Sequence, residues 1–262
     1  MAGHKKDKKK ELEAVERLLH IMDDLREQCP WDRKQTFESL RTLTIEETYE
    51  LADAILEEDK MEISKELGDL LLHIVFYAKI GSETGDFDLS SIGNQICDKL
   101  IHRHPHIYSD IEVKDEEEVK RNWEALKLKE GRKSIFEGVP KSLPALVKAH
   151  RIQEKAAGVG FDWDERLQVL AKVKEEIQEL EDEIRSGNQD RVEAEFGDVL
   201  FSLVNYARYI KVNPETALER TNKKFIQRFK IMENLISNAG KQMVDMSLTE
   251  MDKYWDIAKS KE

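Results

Sequence analysis

The chain has 262 residues, a formal net charge of −12 and 37% charged residues, with only 12 glycines and 5 prolines. This composition favours long solvent-facing helices, and the negative charge argues against a general nucleic-acid or anionic-membrane surface, because the summed field would repel phosphate. The longest apolar run, residues 70–78, is too short to span a bilayer, so we expect no membrane segment. Only Cys29 and Cys97 occur, without a CxxC pair, which favours a cytoplasmic protein.

The first ten residues are rich in lysine and precede an amphipathic stretch instead of an apolar signal core. We interpret residues 1–10 as a disordered basic tail that binds no nucleic acid. After the tail, apolar residues recur at three- and four-residue steps, which predicts helices with one buried face. The predicted helices of an N-terminal domain, residues 11–130, cover 15–25, 45–56, 63–80 and 92–101. Thr44 and Glu47 have capping-box spacing, which predicts a helix start at Thr44.

Residues 131–144 contain two glycines and two prolines, which break helices and predict a linker. A C-terminal domain, residues 145–262, follows, and its predicted helices cover 164–185, 190–210, 214–236 and 248–259. Ser247 with Glu250, and Asn213 before Pro214, are typical helix starts, and Gly187 is typical of a helix end. No segment alternates like a strand for more than a few residues, so we expect an all-α fold.

The two predicted domains repeat each other. Shifting the sequence by 129 positions aligns residues 44–78 with 173–207, and 13 of these 35 positions are identical. Unrelated segments of ordinary composition would share about 2. All four tryptophans pair across the repeat with small changes of offset: Trp31 with Trp163 and Trp123 with Trp255. The chain therefore reads as a tandem duplication of one helical bundle domain.

The repeat preserves pairs of carboxylates at helical spacing. Glu176 and Glu179 are three residues apart, as are Glu195 and Asp198 on the next predicted helix, so each pair shares one helix face. A short turn between the helices would bring the two faces together. The corresponding N-terminal residues are Glu47, Glu50, Glu66 and Asp69.

Converging carboxylates need a cation, because like charges at short distance repel each other. Oxygen ligands without Cys or His favour Mg²⁺, or alternatively Mn²⁺, over zinc. The structural alternative is that both motifs are solvated acidic helix faces, but solubility alone would not keep these positions across the repeat. Gly68 and Gly197, each inside an apolar helix, predict a close helix contact beside the site.

Two rival metal sites are less consistent with the sequence. A di-iron bundle needs Glu-x-x-His on two helices, and no His follows a Glu at that spacing. His102, His104 and His106 are two residues apart around Pro105, which suits a loop, and they have no counterpart in the second half.

The duplicated EExxE and ExxD motifs, with the strings Cys29-Pro30-Trp31-Asp32, Arg103-His104-Pro105-His106 and Gly160-Phe161-Asp162-Trp163, resemble the two-domain MazG proteins over nearly the whole chain. The resemblance implies Mg²⁺-dependent hydrolysis of nucleoside triphosphates and their deoxy forms to a nucleoside monophosphate and pyrophosphate. It also implies a housecleaning role and a homodimer in which helices of both chains complete a four-helix bundle.

The resemblance further assigns residues of the C-terminal half to roles. Glu176, Glu179, Glu195 and Asp198 would hold Mg²⁺, and the adjacent Glu175 is a candidate for orienting or deprotonating water. The candidate substrate-binding residues are Lys172, Arg191, Lys224, Arg228 and Trp255, together with Lys99, Arg103 and Trp123 in the N-terminal half. Lys224 and Arg228 suit phosphate oxygens and Trp255 the base; the alternative is that the two cations are surface ion-pair partners and Trp255 is a core anchor.

The two halves differ in charge beside the carboxylates. Lys172 and Arg191 each lie four residues before a predicted ligand, whereas the N-terminal half has Leu43 and Glu62 there. We therefore expect the C-terminal half to carry most of the turnover. Two alternatives stay open, a nucleotide-sensing or protein-interaction module that keeps the metal site without turnover, and a purely structural helical scaffold.

Overall fold

The structure is a computed structural model that describes residues 8–109, 112–115, 118–119, 122–123, 126 and 134–260. Over these residues it has ten α-helices, two short 3-10 helices and no strand, which confirms the all-α prediction. None of these helices combines the length and apolar character needed to cross a bilayer.

The chain divides into two compact units, Met1–Glu112 and Val113–Glu262. The helices of the first unit are α1 (Lys9–Gln28), α2 (Phe37–Leu56), α3 (Lys60–Thr84), α4 (Leu89–Arg103) and α5 (Pro105–Tyr108). Those of the second unit are α6 (Ala145–Gly158), α7 (Arg166–Ser186), α8 (Gln189–Tyr209), α9 (Pro214–Asn238) and α10 (Leu248–Lys259). The first unit ends at Glu112, before the predicted limit at residue 130. Much of the segment 113–133 lies outside the described residues, so the predicted domain limits stay a prediction.

Two expected helix starts in the first unit are wrong. Helix α1 begins at Lys9, inside the predicted tail, and a Lys9–Glu13 ion pair spans its first turn; residues 1–7 lie outside the described part. Helix α2 begins at Phe37, because Thr36 and Ser39 form the capping box. Thr44 is therefore inside the helix, where its hydroxyl donates to the carbonyl of Leu40 at 2.9 Å.

The α2–α3 pair dominates the first unit, and α1 packs on α3. Its core is formed by buried side chains of these three helices: Met22, Leu40, Val75, Phe76 and Ile80. The three histidines at the junction of α4 and α5 are His102, His104 and His106. His106 lies in the short helix α5 and not in a loop, as the spacing had suggested.

In the second unit, α7 and α8 form a helical hairpin whose ends match the sequence prediction. Gly187 ends α7 in a left-handed conformation, φ 77°, and the Asn188 side chain accepts from the backbone N–H of Arg191 to cap α8. Asn213 and Ser247 cap α9 and α10 as predicted. Helix α6 packs on α8 and α9, and α9 packs on α10.

A polar latch ties the segment before α7 to the end of α8. The Arg208 guanidinium donates to both carboxylate oxygens of Asp162, at 2.8 and 2.5 Å. The one proton of the Tyr209 hydroxyl is shared between Asp162, at 2.6 Å, and the carbonyl of Trp163. Desolvation alone would raise the pKa of Asp162, but the hydrogen bonds from Arg208 and Tyr209 hold it below its ordinary value. The latch fixes Phe161 and Trp163 beside the site described below.

We expect Asp162→Asn to destabilise the second unit by about 1–3 kcal/mol at neutral pH, because it leaves the largely buried Arg208 without its counter-charge. Since the folded-state pKa is lowered, the stability that Asp162 contributes is present above its ordinary pKa and is lost as the pH falls through the folded value. Thermal unfolding at pH 7 and near pH 3 measures this difference. Asp164→Asn, the same change at an exposed neighbour, is the control; an equal loss there would contradict the latch.

Candidate active site

The α7–α8 hairpin brings together three of the four carboxylates predicted for the C-terminal site. One oxygen each of Glu176, Glu179 and Glu195 lies within 4.8 Å of the others. Glu176 is 8% exposed, and Asp198 lies outside this compact group but lines the adjoining cavity with Glu176. Helical spacing aligned each pair, and the antiparallel turn at Gly187 made the pairs face each other.

Lys172 balances part of this negative charge. Its Nζ lies 2.7 Å from Glu175 and 2.8 Å from Glu176, and these hydrogen bonds raise the pKa of Lys172, so that it is charged at neutral pH. Desolvation and then the charge of Glu176 raise the pKa of Glu179, although Lys172 opposes the shift. Of the three clustered carboxylates, Lys172 thus contacts Glu176 directly, and a divalent cation would relieve the remaining repulsion.

A cavity of about 580 Å³ opens beside the carboxylates, a size typical of small-molecule sites. Its wall includes Glu176, Asp198 and Lys172, and it extends away from them between α6, α7 and α8. The remaining wall has aromatic and amide side chains that sequence reasoning missed: Phe136, Gln153, Phe161, Trp163, Phe201 and Asn205. Asp198, Ser202 and Asn205 continue one polar face of α8 at helical spacing, a signal that could have revealed part of this wall.

The first unit has a similar carboxylate group. Oxygens of Glu47, Glu66 and Asp69 lie within 4.8 Å of one another, whereas Glu50 is outside the group. Glu66 is 3% exposed; its Oε1 accepts from Lys65 at 3.0 Å, and its Oε2 is buried without a hydrogen-bond partner in the described part of the chain. Desolvation, and then the charges of Asp69, Glu50 and Glu66, raise the pKa of Glu47. A buried carboxylate oxygen without a partner is what a hard cation would satisfy.

In the first unit, buried side chains lie beside the carboxylate group, at the place where the second unit has a cavity. His73 and Phe76 take the positions of Ser202 and Asn205 under the 129-residue shift, and they are 7% and 2% exposed. His73 lies 2.9 Å from the Thr44 hydroxyl, and desolvation lowers the pKa of His73, although Asp69 opposes the shift. The first unit thus keeps the carboxylates and replaces the polar wall with core.

Several predicted substrate-binding residues lie elsewhere. The Arg191 guanidinium contacts Glu183 at 3.5 Å and not the carboxylate group, because it extends toward the exposed turn of the hairpin. Trp255 packs with Phe225, ring centroids 5.1 Å apart, in the apolar cluster of α9 and α10, as a core residue does.

The other predicted binding residues are not among the side chains that line the cavity, so their roles stay predictions. Lys224 and Arg228 lie on α9, Lys99 and Arg103 on α4, and Trp123 belongs to the second unit, whereas the N-terminal carboxylates belong to the first.

The close helix contact expected at Gly68 and Gly197 is wrong for the described chain. A Cβ added at either position would meet nothing within 4 Å, so none of the described helices explains the missing side chain.

The chain was compared with known proteins. A family model described as the MazG nucleotide pyrophosphohydrolase domain matches it twice, at residues 35–108 and 165–232, and each match contains one acidic hairpin. The protein named nucleoside triphosphate pyrophosphohydrolase of Escherichia coli (strain K12) is 42% identical over 257 residues, covering 95% of this chain and 98% of that protein. Nucleoside triphosphate pyrophosphohydrolase/pyrophosphatase MazG of Thermotoga maritima is 42% identical over 249 residues, covering 93% and 95%. The crystal structure of a mazG-related protein from Thermotoga maritima matches at 28% identity with a TM-score of 0.39, covering 43% of this chain and 98% of that chain.

We expect the metal-free protein to lose stability as the pH rises above the ordinary carboxyl pKa, because Glu179 has a raised folded-state pKa and favours folding only while it keeps its proton. Glu179→Gln should flatten this dependence, so that the variant melts higher than the unsubstituted protein at pH 7.5 in EDTA. Added Mg²⁺ should reverse the order. Thermal melts from pH 4.5 to 8 measure both effects.

Glu181→Gln, on the same helix and paired with Arg185 at 3.3 Å, is the matched control. A pH profile of Glu179→Gln identical to that of the unsubstituted protein would contradict the repulsion inferred at the carboxylate group.

Proposed function

The chain belongs to the MazG nucleotide pyrophosphohydrolase family, and from this premise we propose that it hydrolyses nucleoside triphosphates, ribo and deoxy, to nucleoside monophosphate and pyrophosphate. We further propose that the reaction depends on Mg²⁺ and that the main active site is in the C-terminal unit. The observation that carries the proposal is the compact group of Glu176, Glu179 and Glu195 at the edge of a cavity large enough for a nucleoside. In the reaction, water attacks the α-phosphorus and the bond to the β-phosphate oxygen breaks.

Glu176, Glu179, Glu195 and Asp198 would hold the cation, and their oxygen-only donor set fits Mg²⁺ or Mn²⁺. When bound, Mg²⁺ offsets the charge of the triphosphate and of the leaving pyrophosphate, and it lowers the pKa of bound water. Two observations support a cation at this group: the pKa of Glu179 is raised, and the described contact of Lys172 with the group is to Glu176.

Lys172 and Glu175 have further proposed roles. Lys172 would donate to phosphate oxygens when the carboxylates hold a cation, because Glu176 would then no longer depend on the Lys172 charge. Glu175, paired with Lys172 at 2.7 Å, would then accept a proton from the attacking water or orient it. Lys224 and Arg228, four residues apart on α9, remain candidates for binding phosphate, as Trp255 does for the base, although its packing against Phe225 supports a structural role.

The unequal halves support turnover in the C-terminal unit. The first unit has Leu43 where Lys172 contacts the carboxylates, and buried His73 and Phe76 where the second unit has Ser202 and Asn205. A nucleotide entering there would lack room for its base, and the nearby Lys65 ammonium already pairs with Glu62 and Glu66. The unpaired Oε2 of Glu66 supports a cation held in the first unit without nucleotide.

We also propose a homodimer. The same three positions of α3 and α8 carry large apolar side chains that are 39–53% exposed: Leu67, Leu71 and Ile74, and Phe196, Leu200 and Leu203. They recur at i, i+4 and i+7, so each set forms a stripe along its helix. A stripe repeated at equivalent positions fits a second copy that completes each two-helix pair as a four-helix bundle.

The alternative is a nucleotide-sensing or protein-interaction module that binds nucleotide and metal without turnover. Release of pyrophosphate from a mixture of nucleoside triphosphates distinguishes the enzyme from that module, and identification of the monophosphate distinguishes it from an ordinary phosphatase.

Glu195→Gln and Glu66→Gln are equivalent under the repeat, and both residues belong to compact carboxylate groups. With Mg²⁺ and a panel of ribo- and deoxynucleoside triphosphates, we expect Glu195→Gln to lower pyrophosphate release about 100-fold or more, because it removes a negative ligand from the reacting site. Glu66→Gln should stay within about threefold of the unsubstituted protein, because its site takes no nucleotide.

Mn²⁺ binding, measured by calorimetry, is the accompanying readout: each variant should lose one of two classes of site. If Glu66→Gln abolishes turnover and Glu195→Gln does not, the assignment to the C-terminal unit is wrong.

The dimer is tested by light scattering after gel filtration. We expect the unsubstituted protein to have twice the chain mass of 30.5 kDa, and Leu203→Glu to shift it toward monomer, because a buried charge without a partner opposes association. Leu12→Glu, at a leucine 67% exposed on α1, should leave the dimer intact. A monomeric unsubstituted protein would refute the proposal.

A further inference from the structure

Gln153 is a buried amide whose hydrogen bonding is incomplete. It lies on α6 and is 6% exposed, and its Nε2 donates to the backbone carbonyl of Phe201 at 2.7 Å. Because only the NH₂ group can donate to a carbonyl, this bond fixes the orientation of the amide. The Oε1 atom is thereby left buried without a partner among the described residues, which is costly unless a ligand satisfies it.

The side chain of Gln153 forms part of the cavity wall, together with Glu176 and Asp198 of the proposed active site. The wall also contains Phe161 and Trp163, which the Asp162–Arg208 latch fixes beside α8. An unsatisfied acceptor among aromatic side chains is the chemistry that recognises a planar ring bearing an N–H.

Asn205 adds a group of opposite character to the same wall. Its Oδ1 accepts from the Arg208 guanidinium at 3.2 and 2.9 Å, which fixes this amide as well and directs its NH₂ group away from Arg208. The wall therefore contains two amides whose orientations are fixed, and the unsatisfied atom of Gln153 is an acceptor. Every nucleobase has an N–H or amino donor on its ring edge, whereas an ionised phosphate has acceptors alone, so this acceptor complements a base and not a second phosphate.

We propose that Gln153 is a specificity-determining residue: its Oε1 accepts a hydrogen bond from an N–H of the nucleobase while the triphosphate lies at the carboxylates. The inference rests on the proposed function, and it adds a residue outside both segments that the family model matches, 35–108 and 165–232. Nucleotides whose base has a ring N–H or amino group are then preferred over nucleotides without one.

The test compares ATP with purine ribonucleoside triphosphate, which has the same ring system but neither an amino group nor a six-membered-ring N–H. The unsubstituted protein should prefer ATP by about 10–100-fold in kcat/KM for pyrophosphate release, since an unpaired buried acceptor is left with the analogue. Gln153→Met, of similar size but without the acceptor, should lower kcat/KM for ATP and bring the ratio between the two nucleotides close to one.

Gln178→Met is the matched control, because Gln178 lies on the exposed face of α7 and donates to Asp182 at 3.2 Å. It should leave the ratio unchanged. The unsubstituted protein is informative by itself, so the test does not depend on the folding of Gln153→Met: equal kcat/KM for ATP and the analogue would overturn the role of Gln153 while leaving the hydrolase intact.

If no nucleotide yields pyrophosphate, the proposed function is wrong. The role of Gln153 is then tested separately by measuring the binding of ATP and of its analogue. Calorimetry with Mg²⁺ should then give tighter binding of ATP than of purine ribonucleoside triphosphate, and Gln153→Met should remove the difference. Equal affinities in the unsubstituted protein would refute recognition of the base by Gln153.

Discussion

Electrostatic repulsion among carboxylates at the centre of a helical hairpin is the constraint on which the rest of the structure depends. Glu176, Glu179 and Glu195 approach within 4.8 Å because α7 and α8 pack antiparallel through a tight turn. Such a group is unfavourable without positive charge nearby, so the same arrangement that raises the pKa of Glu179 could hold a divalent cation. Lys172 supplies partial compensation by its contact with Glu176 at 2.8 Å, and the proposed cation would supply the rest.

The duplication shows how few side chains separate a ligand cavity from a core. Both hairpins keep three convergent carboxylates, yet Asn205 faces a cavity where Phe76 is buried. An aromatic ring at that position fills space and gains apolar burial, whereas an amide held by Arg208 leaves a polar wall open. The two copies of the fold thus differ in whether the space beside the carboxylates is core or cavity, and in the first copy the Oε2 atom of Glu66 has no hydrogen-bond partner among the described residues.

Helix positions were predictable to the extent that caps were recognised. Gly187, Asn213 and Ser247 are caps as predicted, because their backbone preferences act locally. The start of α2 was missed because Thr36 and Ser39 form a capping box without the usual Glu or Gln. The contacts of Arg191 were also missed. Its spacing would place it beside the carboxylate group, but its guanidinium contacts Glu183 at the exposed turn of the hairpin.

The sequence by itself determined the duplication, the all-α class and the pairing of carboxylates on single helix faces, because helical periodicity fixes side-chain direction within about one turn. Only the tertiary structure decided whether a cavity or a packed core lies opposite the helix faces that carry the carboxylates. The cavity joins Gln153 on α6 to Asn205 on α8, and Trp255 packs in a core cluster and not in the cavity wall. Such contacts join residues distant in sequence, and they depend on how whole helices pack, which no local spacing specifies.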